Sequence, residues 1–260
     1  MQSKWKNKMD LFAIESKYGE PWVNLPDNSA LSNWGKDQEI VYNQMNRNVQ
    51  KAKFYSKTFD FLTENQIVGD YLEFGCHRCR TLRMALTEAR RHNLSSMNFH
   101  AFDSFEGLPE VISDTDHALW RPAALATSLD DFIKIVQKHG IYPENVRTIK
   151  GFYQNSLTPT LQEAMLVSGQ LAMLVTVDCD LYESAVPVFR FIEPLLQEGT
   201  VIYIDDLFAG YRGSPKRGVS RAFMEFQKNT PWKFVRHLDV GWWGRSYIAY
   251  RDNADLEGTL

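Results

Sequence analysis

Cysteine is scarce. Three residues, Cys76, Cys79 and Cys179, in a chain of 260 cannot build a disulfide scaffold, and their odd number leaves one thiol over. Long apolar runs are missing too. No stretch approaches the roughly 18 residues that a membrane-spanning helix needs. The N-terminus, MQSKWKNKMDLFAIESKYG, carries Lys4, Lys6 and Lys8, which read as solvated charges, and lacks the apolar core of a signal peptide. The reading is a cytoplasmic protein with no membrane partner. Positive charge is not in excess either. A formal net charge of -3 excludes a broadly basic surface that coats nucleic acid. Six histidines occur, none paired at the spacing of a metal motif. Internal repeats and low-complexity segments are absent.

What remains is a soluble composition, 44% hydrophobic and 23% charged, in a length at the upper end for one core. Residues 1 to about 36 read as irregular, with Trp5, Trp22 and Trp34 available to pack. Residues 37–64 lack proline and glycine. There Ile40, Val41, Met45, Val49, Ala52, Tyr55, Phe59 and Leu62 recur at helical steps. After Gly69 short apolar runs alternate with helical periods. The runs are Tyr71–Phe74, Phe99–Phe102, Val146–Ile149, Leu171–Val177 and Val201–Ile204, with two closing strands at 232–238 and 245–250. Helices are expected near 80–92, 128–139, 155–168, 184–197 and 215–229. Ser128 with Asp131 forms a capping box that ends at Gly140. Ser214-Pro215 reads as N-cap plus first-turn proline, and Pro194 as a kink or stop. This alternation predicts an α/β fold: a doubly wound, Rossmann-like, mostly parallel sheet over residues 66–260, after an N-terminal helical segment, 1–65.

Ligands in such sheets bind beyond the carboxyl ends of the strands. There the acids collect. The first strand ends in Glu73-Phe74-Gly75, the second in Asp103, the fourth in Asp178-Cys179-Asp180 and the fifth in Asp205-Asp206. Carboxylates brought together must protonate, separate or share a cation. If the fourth and fifth strands are neighbours, ~4.8 Å apart, their acids meet around one ion. An all-oxygen set suits Mg2+, Mn2+ or Ca2+ rather than zinc. Each pair also has a bland reading as a turn or helix cap, but together, both strand-terminal, they favour a divalent-metal site.

The stretch DYLEFGCHRCRTL holds a C-x-x-C with His77 between the cysteines, a spacing shared by metal and redox sites. Zinc would need two more ligands at motif spacing, and only Cys179 remains. The stretch reads better as a cofactor turn. It does not match G-x-G-x-x-G, which weakens a dinucleotide reading. S-adenosylmethionine has no phosphate and tolerates a looser glycine pattern. Asp103, 30 residues after Glu73, stands where an acid receives ribose hydroxyls. Thr81 and the N–H groups of the turn are placed to hold the methionine carboxylate.

These segments, with FHAFDSFEGLPE, VDCDLYES, EGTVIYIDD and KRGVSRAFMEF, resemble in order and spacing the motifs of macrocin-type (TylF/MycF-like) sugar O-methyltransferases. Those are class I S-adenosylmethionine-dependent enzymes that use a divalent metal. The resemblance runs from about Gly69 to Phe226. It implies that Glu73 and Gly75 shape the cofactor loop and that Asp103 binds the ribose beside Ser104 and Phe105. It implies that Gly151 and Phe152 face the adenine, that Asp178, Asp205 and Asp206 hold Mg2+ or Mn2+, and that Asp180 is the general base. Cys79 departs from the family, which usually has a small residue there, often glycine, so a positive φ would be costly. The implied partner is a small-molecule or glycan acceptor, with a homo-oligomer possible. The segment 106–125 is long enough for a lid, with Trp120 and Arg121 in it. Phe208, Tyr211, Arg212, Trp242 and Trp243 are candidates to line the acceptor site. His77 is a candidate ligand contact, whereas His100 reads as a satisfied core residue and Lys216-Arg217 as solvated charges. A metal-dependent D-x-D glycosyltransferase is the alternative enzyme, and a non-catalytic α/β binding protein is the other competitor.

Overall fold

The computed structural model describes residues 35–110 and 123–252. Trp5, Trp22, Trp34 and Lys4, Lys6 and Lys8 lie outside the described residues, as do Trp120 and Arg121. The chain divides into two compact units, Met1–Asn46 and Arg47–Leu260. In the described part of the first, a helix begins at Lys36 and carries Ile40, Val41 and Met45 exposed. The sheet and all candidate site residues belong to the second.

That sheet has seven strands: β1 (Asp70–Phe74), β2 (Phe99–Asp103), β3 (Val146–Lys150), β4 (Ala172–Val177), β5 (Val201–Ile204), β6 (Lys233–Val240) and β7 (Gly244–Tyr250). Their order is β3-β2-β1-β4-β5-β7-β6. The first five are parallel, and β7 pairs antiparallel with both β5 and β6. The order reverses between β1 and β4, so the ligand crevice opens at their carboxyl ends. β4 and β5 are neighbours, as the acid pattern required.

Helices cover both faces. α1 (Lys36–Glu64), through its residues from Phe54 on, α2 (Arg80–Arg91) and α3 (Leu129–His139) cover one. α4 (Tyr153–Ser156), α5 (Pro159–Val167), α6 (Tyr182–Ile192) and α7 (Gly218–Asn229) cover the other. Strand alternation divides the core accordingly. Leu72, Phe74, Val175, Val177, Ile202 and Ile204 point to the second layer, and Tyr71, Leu174, Val201 and Tyr203 to the first. In α1 only the later part of the apolar stripe is used: Phe54, Tyr55, Thr58, Phe59 and Leu62 are buried, while Val49 is exposed.

Sequence signals at helix ends met mixed fates. Ser128 accepts the Asp131 N–H, and Gly140 closes α3 at φ 72°. Residues 155–168 do not form one helix. Thr158 caps a new start at Pro159, because the proline cannot continue the turn before it. Ser214 does not cap α7, which begins at Gly218. The Ser214 hydroxyl instead accepts the Lys216 N–H in a preceding turn. Pro194 does end its helix, in a tight turn over Glu193–Leu195. Pro187 sits inside α6, and the Glu183 carbonyl its missing N–H would have met accepts from Gln154 Nε2 at 3.1 Å.

Candidate active site

The backbone aligns the strand ends before any side chain acts. The Asp178 N–H donates to the Phe74 carbonyl at 2.8 Å, and the Asp205 N–H to the Val177 carbonyl at 2.9 Å. Gly75 lets the loops after β1 and β4 meet. Its φ is +91°, and a Cβ there would lie 1.8 Å from the Asp178 carbonyl oxygen. Only glycine fits.

On the β1–β3 side, Asp103 is fixed by two backbone donors. Its Oδ2 accepts from the Cys76 N–H at 2.6 Å and its Oδ1 from the Phe105 N–H at 2.7 Å. The Ser104 hydroxyl donates to the Gly107 carbonyl and tightens the same turn. The Gly151 N–H donates to the Asp103 carbonyl at 2.9 Å, and Phe152 opens α4 beside it. Gly75, Asp103, Ser104, Gly151 and Phe152 are therefore gathered at the carboxyl ends of β1, β2 and β3.

Glu73 is placed differently. It is fully buried and turned toward α2, where it accepts from the hydroxyls of Tyr71 and Thr81. Tyr55 and Thr176 extend this network. Burial pushes the Glu73 carboxyl up to about 7, against the two hydroxyls, which favour the ionised form. The Thr81 hydroxyl gives its hydrogen to Glu73, and the N–H groups of Gly75, Cys76, Arg78 and Cys79 are likewise bonded within the chain, to Phe102, Asp103, Thr127 and Cys76. Cys79 does adopt the left-handed conformation, with φ 54° and ψ 32°, as does Arg78 at φ 53°. The Cys79 thiol is fully buried, and burial raises it and Cys76 above the ordinary thiol range. That is the reverse of an activated redox pair. His77 hydrogen-bonds Thr127 through Nδ1 at 3.2 Å, and His100 is paired in the core with Asp70 at 2.9 Å.

On the β4–β5 side the acids converge. Asp178, Asp205 and Asp206 bring oxygens within 4.8 Å of one another. Asp180 hydrogen-bonds Asp206. Both hold positive φ, 61° and 51°, strain of the kind found at functional sites. Burial and then the neighbouring acid push Asp178, Asp180 and Asp206 above the usual carboxylate range. For Asp205 burial acts in the same direction, but the Lys51 ammonium and the Tyr203 hydroxyl hold it below that range. Lys51 reaches Asp205 Oδ2 at 2.7 Å and Asp178 Oδ2 at 3.1 Å. Trp243 Nε1 donates to Asp205 Oδ1 at 2.8 Å, Tyr203 donates to the same oxygen, and Arg47 stacks 4.8 Å from the Trp243 ring centre. Four acids against one bonded ammonium form an oxygen-only, charge-deficient donor set, which fits a hard divalent cation.

Asp180 and Asp206 also border a recess with Tyr211, Ser214 and Arg217. Phe208 and Tyr211, which line it, also line an open cavity of about 520 Å3 together with Arg212 and Trp242. Four of the five acceptor-site candidates thus meet, while Trp243 is buried behind Asp205. Sequence reasoning missed Lys51, Tyr203 and the anchoring role of Trp243. Lys51 had a signal: it stands four residues before Tyr55 and eight before Phe59, on the buried stripe of α1.

This sheet order with acids at its strand ends is that of a class I methyltransferase. The solved O-methyltransferase NovP shares the fold, with a TM-score of 0.64 at 18% identity over 77% of this chain and 79% of that one. The family model of the macrocin O-methyltransferases (TylF) matches residues 30–233, and the chain belongs to that family. It is 30% identical over 149 residues to the 8-demethyl-8-(2,3-dimethoxy-alpha-L-rhamnosyl)-tetracenomycin-C 4'-O-methyltransferase of Streptomyces olivaceus, covering 54% of this chain and 53% of that protein. It is 26% identical over 151 residues to the demethyldecarbamoylnovobiocin O-methyltransferase of Streptomyces niveus, covering 55% and 54%. The chain spans about half the length of the curated relatives it matches. Among the described residues no helix is long and apolar enough to cross a membrane.

Proposed function

We propose that the chain is an S-adenosylmethionine- and divalent-metal-dependent O-methyltransferase acting on a sugar hydroxyl of a small-molecule glycoside or a glycan. The observation that carries this reading is the pairing of two half-sites at one switch point: Asp103 on backbone donors at the end of β2, and four acids at the ends of β4 and β5. Family membership and the rhamnosyl substrate in one relative's name support the acceptor class. Nothing in the family or the fold supports the D-x-D glycosyltransferase alternative.

Asp103 would receive the ribose hydroxyls, the turn that begins at Gly75 the methionine end, and Gly151 and Phe152 the adenine. Asp178, Asp205 and Asp206 would hold Mg2+ or Mn2+. The methyl donor supplies a sulfonium carbon, and the cation supplies charge that lowers the pKa of the acceptor hydroxyl. Asp180, at the border of the recess, takes the hydroxyl proton. Positive charge beside it favours that role, because burial and then Asp206 raise its carboxyl above the usual carboxylate range. Trp242, Phe208 and Tyr211 offer aromatic faces to a sugar ring and exclude water on one side.

Thermal unfolding with S-adenosylhomocysteine, UDP-sugars and Mg2+ tests the reading. A ligand at 100 times its Kd should add about 2.7 kcal/mol of stability. Stabilisation is expected with S-adenosylhomocysteine; stabilisation by UDP-sugar alone would overturn the assignment.

A further inference from the structure

Lys51 is out of place as a packing residue. It comes from the buried side of α1, its side chain is 14% exposed, and its ammonium meets the strand ends instead of water. Both of its partners belong to the group of three convergent acids. Asp205 has little else to offer a cation. Its Oδ1 already accepts from Tyr203 and from Trp243, which together occupy both lone pairs. Oδ2, the oxygen paired with Lys51, is the one through which Asp205 could meet a metal. The helix itself is pinned: Phe54, Tyr55, Phe59 and Leu62 are buried, and the Tyr55 hydroxyl is bonded to Tyr71 and Thr176. The four-carbon stem of the lysine is not, and it can swing.

We propose that Lys51 is a built-in competitor for the divalent-cation site, its ammonium and the cation being alternative partners of Asp205 Oδ2 and Asp178 Oδ2. The proposal rests on the metal-dependent reading above. Two cations on one carboxylate oxygen repel across a few ångströms of low-dielectric interior. Cation binding therefore expels the Lys51 side chain from between the two acids. In the absence of the cation, the ammonium keeps those buried acids compensated, so the strand ends hold their arrangement without metal. A monovalent ion gains too little from the same oxygens to displace an ammonium, so the arrangement discriminates by charge.

The test is Mn2+ titration of the full chain, followed by electron paramagnetic resonance, for wild type, Lys51→Met, Lys51→Gln and Lys51→Arg. The two neutral variants should bind Mn2+ at least about tenfold more tightly than wild type. Lys51→Arg, which keeps the charge, should stay within about threefold of it. Lys51→Gln retains a hydrogen-bond donor if Lys51→Met does not fold. A second measurement needs no variant: acylation of the Lys51 amine in wild type, read by peptide mass spectrometry, should accelerate when Mn2+ saturates the site. Equal or weaker binding by the neutral variants, or slower acylation with Mn2+, overturns the proposal while wild-type binding leaves the metal reading standing. Absence of Mn2+ binding in all four proteins overturns the metal reading and the proposal together. Binding by the neutral variants alone supports the proposal.

Discussion

Glu73 carries its carboxyl inside the protein, against two hydroxyl donors, and the consequence is a pH dependence with a definite sign. Its ordinary value is 4.5 and burial raises it to about 7. Between those values the folded chain keeps a proton that the unfolded chain has lost. The folded state binds more protons there, so stability falls as pH rises through the window. At ~1.4 kcal/mol per pH unit the loss is about 3 kcal/mol by pH 8. Glu73→Gln does not titrate. The gap in unfolding free energy between it and wild type should therefore move by that amount in the variant's favour from pH 4.5 to pH 8, read by urea denaturation. A gap that stays constant would show that Glu73 is ionised throughout. At this scale the sequence was informative about type and silent about direction. Acids stand at the strand ends as read, yet the strand alternation that turns Glu73 inward also directs Tyr71 to it and Thr176 to Tyr71, and that needs the register Glu73 to Thr176. Cys79 was recognisable as a costly position, and its φ of 54° bears that out. Lys51 and Asp205 are 154 residues apart, and nothing local to either announces the pair.

Elements were legible where their periodicity was long and unbroken, as in α2, α3 and the five parallel strands. They were misread at Pro159 and at Ser214-Pro215, whereas Pro194 ends its helix as read; what a proline does to a helix also depends on partners elsewhere in the chain. α6 keeps Pro187 because Gln154 takes the released Glu183 carbonyl. At its far end, Pro194 frees the Arg190 carbonyl. Gln162 of α5 donates to that carbonyl at 3.3 Å and to the Phe191 carbonyl at 2.7 Å. One side chain thus closes the C-terminus of the helix that follows Asp180. Gln162→Leu should cost about 1–3 kcal/mol, the penalty of leaving half-buried carbonyls unpaired. It should also speed amide exchange over Arg190–Leu195, with β4 unchanged. A loss below about 0.5 kcal/mol would mean that water serves these carbonyls as well as Gln162 does.

Across the whole molecule, the proposed function divides at the switch point into two jobs. β1, β2 and β3 present Gly75, Asp103 and Gly151, while β4 and β5 present the four clustered acids. The two sets touch mainly through backbone: the Asp178 N–H on Phe74, and Gly75 against the Asp178 carbonyl. This division was readable from strand order alone, since parallel strands with short acidic ends leave few other places for a ligand. The grouping of Asp178, Asp205 and Asp206 was readable too, but not the way Tyr203, Trp243 and Lys51 close round Asp205, which needs side chains distant in sequence. If the halves act separately, their ligands should dissociate separately. Asp103→Asn should weaken S-adenosylhomocysteine binding by about tenfold or more, the worth of one charged hydrogen bond, and leave Mn2+ affinity within about twofold. Asp178→Asn should do the reverse, losing Mn2+ affinity while calorimetry still finds S-adenosylhomocysteine bound. Loss of both ligands in either variant would mean that the Gly75–Asp178 contact transmits the damage, and that the crevice is one site rather than two joined at a backbone seam.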